Sequence, residues 1–129
     1  MADHDSRERF LALAEATVGA FAYMAALLEE LPVPVVVPDL VLAVDNEPTE
    51  VLVGLNRART LLEDEPISDR HKRAYEHMVL DWFAAYETLA LVKLAGPAPW
   101  RLDVVEFALQ RFMTWVEVIE DDEPDDSQS

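Results

Sequence analysis

His77 and Asp81 are the two side chains whose types and spacing come nearest to a metal site in this chain. Residues four apart share one face of a helix, so an imidazole and a carboxylate at this spacing could ligate one ion. A site needs a third and a fourth ligand, but Glu76 points elsewhere and His71 lies nearly two turns back. The Glu-x-x-His pattern of di-iron helical bundles is also absent. The sequence therefore predicts no metal site and no cofactor.

Arg70 and His77 stand seven residues apart, which is two helical turns, and so share a helix face. This spacing resembles the Arg-x6-His RNase motif of HEPN domains, a family of small all-helical proteins. The resemblance implies RNA cleavage by these two residues. The chain lacks the polar-then-Tyr context usual around that motif, and a net charge of −16 is unfavourable for holding RNA. A HEPN-like RNase is therefore kept as the second alternative function.

Other catalytic patterns are missing. The three glycines are scattered and form no phosphate-binding loop, and all four serines lie at helix starts or in the C-terminal tail, away from any histidine–aspartate pair. The Glu-Glu-x-x-Glu helix of all-helical nucleotide pyrophosphatases does not occur. The sequence therefore predicts a protein that is not an enzyme.

Charge is the strongest compositional feature. The chain has 26 acidic and 10 basic residues, for a net charge of −16. This disfavours direct binding to nucleic acids and to anionic membranes, and it favours a basic protein partner. An adaptation of the surface to high salt would produce the same composition. The chain has no cysteine, which excludes disulfides and thiolate metal sites.

Apolar residues recur at spacings of three and four along four segments, which predicts an all-α, four-helix bundle-like single domain. The predicted helices span about residues 5–31, 47–63, 69–95 and 99–120, with Asp5 as the first cap. Prolines 32, 34 and 38 force a long extended connection after the first helix. Within it, residues 39–44 suit a short helix or a strand equally. Residues 121–129 contain no apolar side chain and are predicted to be a disordered acidic tail.

The third helix is apolar nearly all round from Met78 onward, so it is either the central helix or part of a subunit interface. The first helix carries a face of small residues that would let another helix approach closely. Together these features predict a homodimer. The candidate interface residues are Ala12, Ala16, Gly19, Trp82, Phe83 and Tyr86.

Residues 10–28 are apolar enough to be compared with a membrane-spanning helix, because only Glu15 is charged among these nineteen. Eight of them are Ala or Gly, so their tendency to insert is weak, and the preceding residues lack the positive bias of a signal peptide. The prediction is a soluble amphipathic helix in a cytoplasmic protein.

Short turns near residues 66 and 97 make the last three helices antiparallel neighbours. The 63–69 turn and the segment after residue 119 then share one end, where acids could pair with Arg70, Lys72 and Arg73. The predicted partner-binding residues are Glu63, Asp64, Glu65, Asp69, Glu120, Asp121, Asp122 and Glu123. The predicted function is a non-enzymatic interaction module, namely an adaptor, inhibitor or small chaperone that binds a basic protein surface. The alternative is a nucleic-acid-mimicking inhibitor of the phage anti-defence type.

Overall fold

Four α-helices account for most of the chain in a computed structural model, which describes residues 2–37 and 49–121. The helices are α1 (Ala2–Glu29), α2 (Thr49–Leu61), α3 (Asp69–Ala95) and α4 (Pro99–Glu120), with one 3-10 turn at Leu62–Asp64. No strand occurs in these residues, which confirms the all-α bundle-like prediction. Residues 39–44 and the tail from residue 122 onward, for which predictions were made, lie outside the described residues.

Helix boundaries follow local chemistry where cap signals are strong. The Ser68 hydroxyl accepts a hydrogen bond from the His71 N–H and begins α3. Gly96, at φ 105°, ends α3 and donates its N–H to the Val92 carbonyl. Pro99 then begins α4, where its missing N–H has no cost. The bounds of α3 and α4 therefore coincide with the predicted ones.

The first helix departs from its predicted bounds at both ends. It begins at Ala2, so Asp5 lies inside its first turns instead of capping it, in a place where a negative charge is favourable. It ends at Glu29 instead of residue 31, because Pro32 prevents continuation. The N–H groups of Glu30 and Leu31 bond three residues back, which tightens the last turn. The Val35 N–H then returns to the Leu28 carbonyl and turns the chain.

The core is centred on α3, which packs against all three other helices. Its most extensive contact is with α4, α1 lies against both α3 and α4, and the α2 backbone approaches only α3 among the helices. Trp82 is fully buried at the centre, 5.1 Å from the Phe21 ring. The other large hydrophobic side chains that are fully buried include Met24, Leu28, Leu55, Met78, Val79, Leu102, Val105, Phe112 and Val116. α3 is therefore the central helix, as its all-round apolar pattern allowed.

Candidate functional site

The directions of the helices follow from contacts between their ends. Arg9 near the start of α1 pairs with Asp103 and Glu106 near the start of α4, each at 2.7 Å. Towards the other end, the Tyr23 hydroxyl donates to the Glu120 carboxylate. α1 and α4 are thus parallel, and α3 runs antiparallel to both. α2 also runs antiparallel to α3, with Arg59 pairing to Glu76 at 3.0 Å. The C-termini of α1, α2 and α4 therefore meet at one end of the bundle.

Seven exposed carboxylates gather at this end, which we call the acidic end. Neither α1 nor α4 has a basic residue in its last turn. In residues 2–37 and 49–121, no ion pair engages any of the seven, although Glu120 accepts the Tyr23 hydrogen bond. Helix C-termini carry partial negative charge, so these carboxylates and the helix ends reinforce one another. The residues of the acidic end are Glu29, Glu30, Glu63, Asp64, Asp69, Glu120 and Asp121.

Glu65 departs from its predicted role as a partner-binding residue. Its side chain is buried, and its Oε1 accepts a hydrogen bond from the Val33 N–H at 3.1 Å. The segment after α1 has no helical partner for this N–H, and an inward carboxylate supplies one. Glu65 therefore fastens the α1–α2 connection to the turn before α3, and it is not available to a partner.

The described residues do not show the predicted ion pairs between the bases at the start of α3 and the acids at the C-terminus. Lys72 reaches back along the chain, and its Nζ donates to the Glu63 carbonyl at 2.8 Å. Arg70 and Arg73 are exposed and pair with no carboxylate of the described residues. Asp122 and Glu123 lie outside the described residues.

Sequence reasoning missed Glu29 and Glu30 as members of the acidic end. Their place there depends on the direction of α1, which a long connection leaves open. The contact between Tyr23 and Glu120 settles that direction. Glu120 is also the main reason that the pKa of Tyr23 is raised above the ordinary value for a tyrosine, with burial and Glu30 adding to the effect.

Two of the side chains considered for chemistry, His77 and Asp81, are occupied by contacts with α4. The His77 ring stacks on Trp115, with the ring centroids 4.7 Å apart. The Asp81 carboxylate accepts hydrogen bonds from the Trp115 indole at 2.9 Å and from Arg111 at 3.3 Å. Arg70 is exposed in the first turn of α3. Within the described ranges, no group of three or more His, Cys, Asp or Glu side chains could hold a metal ion.

The six candidate interface residues do not form one surface. Trp82 is fully buried and donates its indole N–H to the Thr17 carbonyl, so it cannot contact a second chain. Ala16 and Gly19 line a groove between α1 and α4, and Ala12 is exposed on the same helix. Tyr86 of α3 lies in a cleft on the other side of α1 and stacks on Trp82. Phe83 is half-buried beside Trp82. Three helical neighbours account for the buried part of the all-round apolar pattern of α3, whereas Leu80, Leu91 and Leu94 remain exposed.

A cleft of about 270 Å³ lies between α1 and α3. Burial raises the pKa of its Tyr86 hydroxyl above the ordinary value for a tyrosine. Tyr86 and Lys93 are the titratable residues among its walls, and its lining contains no histidine or carboxylate that would complete a nucleophile–base pair. The lining residues are Phe10, Ala14, Thr17, Val18, Tyr86, Leu89, Ala90 and Lys93.

Among the described helices, α1 is long and apolar enough to cross a membrane, judged by the length and composition of residues Asp5–Glu29. The mean hydropathy of its most apolar window is 1.7, and 28% of that window is buried in the bundle. Core helices of soluble proteins, which are mostly buried, and signal sequences near the N-terminus pass the same test. Its inner side carries the contacts to α3 and α4 described above.

Comparison of the chain with protein-family models, with curated proteins and with solved structures finds no match.

Proposed function

We propose that the protein is a non-enzymatic helical interaction module that binds a basic protein surface through its acidic end. The observation that carries this proposal is the convergence of three helix C-termini with seven exposed carboxylates. Each helix C-terminus is equivalent to about half a negative charge, and the N-terminus of α3 at the same end is equivalent to about half a positive charge, so the helices add about one net negative charge to those of the side chains.

Local bases offset only part of this charge. Arg70, Lys72 and Arg73 follow Asp69 at the start of α3, and together they bring three positive charges to the same end. The seven exposed carboxylates against these three bases leave four net negative charges among these ten side chains. A field of this kind speeds the encounter with a basic surface and orients it, and it slows the approach of nucleic acids.

A pair of charge-matched variants tests the proposal. Glu63→Gln/Asp64→Asn removes two exposed charges at the acidic end, and Glu15→Gln/Glu87→Gln removes two exposed charges elsewhere. Proteins captured from the source lysate by the immobilised wild type should be basic, and the first variant should associate with them more slowly. The control variant should bind at the wild-type rate. Equal binding by both variants would contradict a role for the acidic end.

Salt dependence gives a second readout. The association rate should fall steeply as added salt brings the Debye length below about 10 Å. Salt-insensitive binding would point to an apolar surface instead. Displacement of the captured protein by duplex DNA would favour the nucleic-acid-mimicking alternative.

The non-enzymatic part of the proposal has its own test. Purified protein should not cleave RNA. Cleavage that is lost in both Arg70→Ala and His77→Ala would overturn this part and support the HEPN-like alternative. We also propose a cytoplasmic location in solution, which predicts that the protein remains in the supernatant after membranes are sedimented from a lysate.

A further inference from the structure

Five large apolar side chains are exposed on α3 and α4 near the turn that joins these helices. Leu94 is 87% exposed, Trp100 60% and Phe107 61%, and Leu91 and Val104 are each 46% exposed. Trp100, Val104 and Phe107 recur at spacings of four and three, so they share one side of α4. Leu91 and Leu94 lie in the last two turns of α3, next to the turn that joins the two helices. We call these five residues the hairpin face.

Charge around the hairpin face is balanced, in contrast to the rest of the chain. Residues 81–111 contain four acids and three bases, and Arg9 of α1 adds a fourth base through its pairs with Asp103 and Glu106. On the other side, Arg111 pairs with Asp81. The whole net charge of −16 therefore resides outside this region. The hairpin face is a place where two copies can meet without bringing net like charges together.

Two bases sit on the aromatic rings themselves. The Arg101 guanidinium lies 4.4 Å from the Trp100 ring centroid, and that of Arg111 lies 5.9 Å from the Phe107 ring centroid. The Arg101 Nη1 also donates to the Gly96 carbonyl at 3.1 Å and so caps the end of α3. These contacts hold the rings in place, which lowers the entropy that an interface must overcome on binding.

The exposed area fits a dimer of ordinary size. At their exposed fractions, Trp100 and Phe107 present roughly 200–300 Å² together, since such rings bury 150–250 Å² each. With the three aliphatic side chains the exposed area reaches on the order of 500 Å², in the upper part of the roughly 300–600 Å² that the largest patch on a monomer presents, and such patches are often functional. A standard interface buries about 800 Å² per partner, and about 65% of it is apolar in homodimers, which is again about 500 Å².

We propose that a second copy of this chain binds the hairpin face, in an isologous homodimer with Trp100 and Phe107 at its centre. The hairpin face lies by the α3–α4 turn, at the opposite end of the bundle from the acidic end. A two-fold axis perpendicular to α4 then directs the two acidic ends away from each other. This interface replaces the one predicted through Ala12, Ala16 and Gly19, and it does not depend on the proposed basic partner.

Sedimentation equilibrium of two matched variants tests the interface. Phe107→Glu should weaken dimerisation by at least about tenfold, because it places a charge at the centre of the contact. Leu11→Glu makes the same change at a position that is 56% exposed on α1, and it should leave the dissociation constant within about twofold of the wild type. Circular dichroism establishes that both variants are folded. A monomeric wild type at every concentration, or an equal effect of the two variants, would overturn the proposal.

The absence of native cysteine allows a second test. A residue near a two-fold axis faces its own copy, so Val104→Cys should form a disulfide-linked dimer readily on mild oxidation. Ala16→Cys, in the groove between α1 and α4, should not. The reverse result would assign the interface to α1. Dimerisation should also persist or strengthen as salt rises, whereas docking at the acidic end weakens, so the two proposals can fail separately.

Discussion

The indole N–H of Trp82 donates a hydrogen bond to the main-chain carbonyl of Thr17, 2.9 Å away across the α1–α3 interface. Both residues are buried, and the Thr17 hydroxyl donates to the Leu13 carbonyl within α1. The Trp82 indole N–H thus has a hydrogen-bond partner although it is buried, and the same bond fixes the position of α1 along the axis of α3.

Replacement of Trp82 by Phe should destabilise the fold by about 2–3 kcal/mol, since it removes this hydrogen bond and leaves a cavity. Trp100→Phe provides the matched control. Its side chain is exposed, so the cost should stay below about 0.5 kcal/mol at a concentration where the chain is monomeric. Urea unfolding measures both. Equal costs would mean that Trp82 does not hold the core.

Glu65 should control the order of the segment after α1. Glu65→Ala leaves the Val33 N–H without its acceptor and should raise hydrogen exchange at that amide, with a loss of about 1–3 kcal/mol in stability. Glu65→Gln keeps an oxygen acceptor and should lose less. Glu63→Ala alters an exposed neighbour and serves as the control. Unchanged exchange at Val33 in Glu65→Ala would contradict the contact.

Replacement of Gly19 and of Gly96 by alanine should change the stability of the fold in opposite directions. Gly19 lies within α1, and an added Cβ would meet no atom within 4 Å. Gly19→Ala should therefore stabilise the fold by about 0.5–1 kcal/mol. Gly96 has φ 105° and ψ 157°, a conformation that an L side chain rarely adopts. Gly96→Ala should destabilise by about 1–3 kcal/mol. Thermal unfolding of both variants measures the difference in sign.

Stability should fall at high pH because of Tyr86. Burial raises its pKa in the folded chain, so the folded state retains the phenol proton after the unfolded state has lost it. The stabilisation is therefore complete below about pH 10 and declines as pH rises through the folded pKa. Tyr86→Phe should lose less stability than the wild type above about pH 10.

Salt distinguishes this effect from that of Tyr23, whose raised pKa comes mainly from its exposed bond to Glu120. Phenolate absorbance should show the Tyr23 step moving towards its ordinary pKa with added salt, while the Tyr86 step remains. If added salt shifted the Tyr86 titration as much as that of Tyr23, burial would not be the cause of the raised pKa of Tyr86.

The sequence predicted those features that depend on neighbouring residues. Ser68, Gly96 and Pro99 carry cap and turn chemistry that acts within a few residues, and these positions bound α3 and α4 as predicted. The apolar periodicity located the buried faces for the same reason. The direction of α1 was not predictable, because the nineteen residues between α1 and α2 allow either direction.

The inward turn of Glu65 had no signal in the sequence, since its neighbours Glu63 and Asp64 are exposed as a run of acids normally is. The assignment of Trp82 to an interface failed for a related reason. Apolar periodicity shows that a side chain is covered, but it does not distinguish a helix of the same chain from one of a second copy.

The packing of α1 against helices that lie far from it in the sequence has a kinetic consequence. α3 and α4 are joined by three residues, so their hairpin closes a short loop, whereas the Trp82–Thr17 bond joins residues 65 positions apart. Contacts with long sequence separation form late, because the chain must lose more entropy before they form. We therefore expect a refolding chain to build the α3–α4 hairpin first and to dock α1 last, with Trp82 accessible to water until α1 arrives.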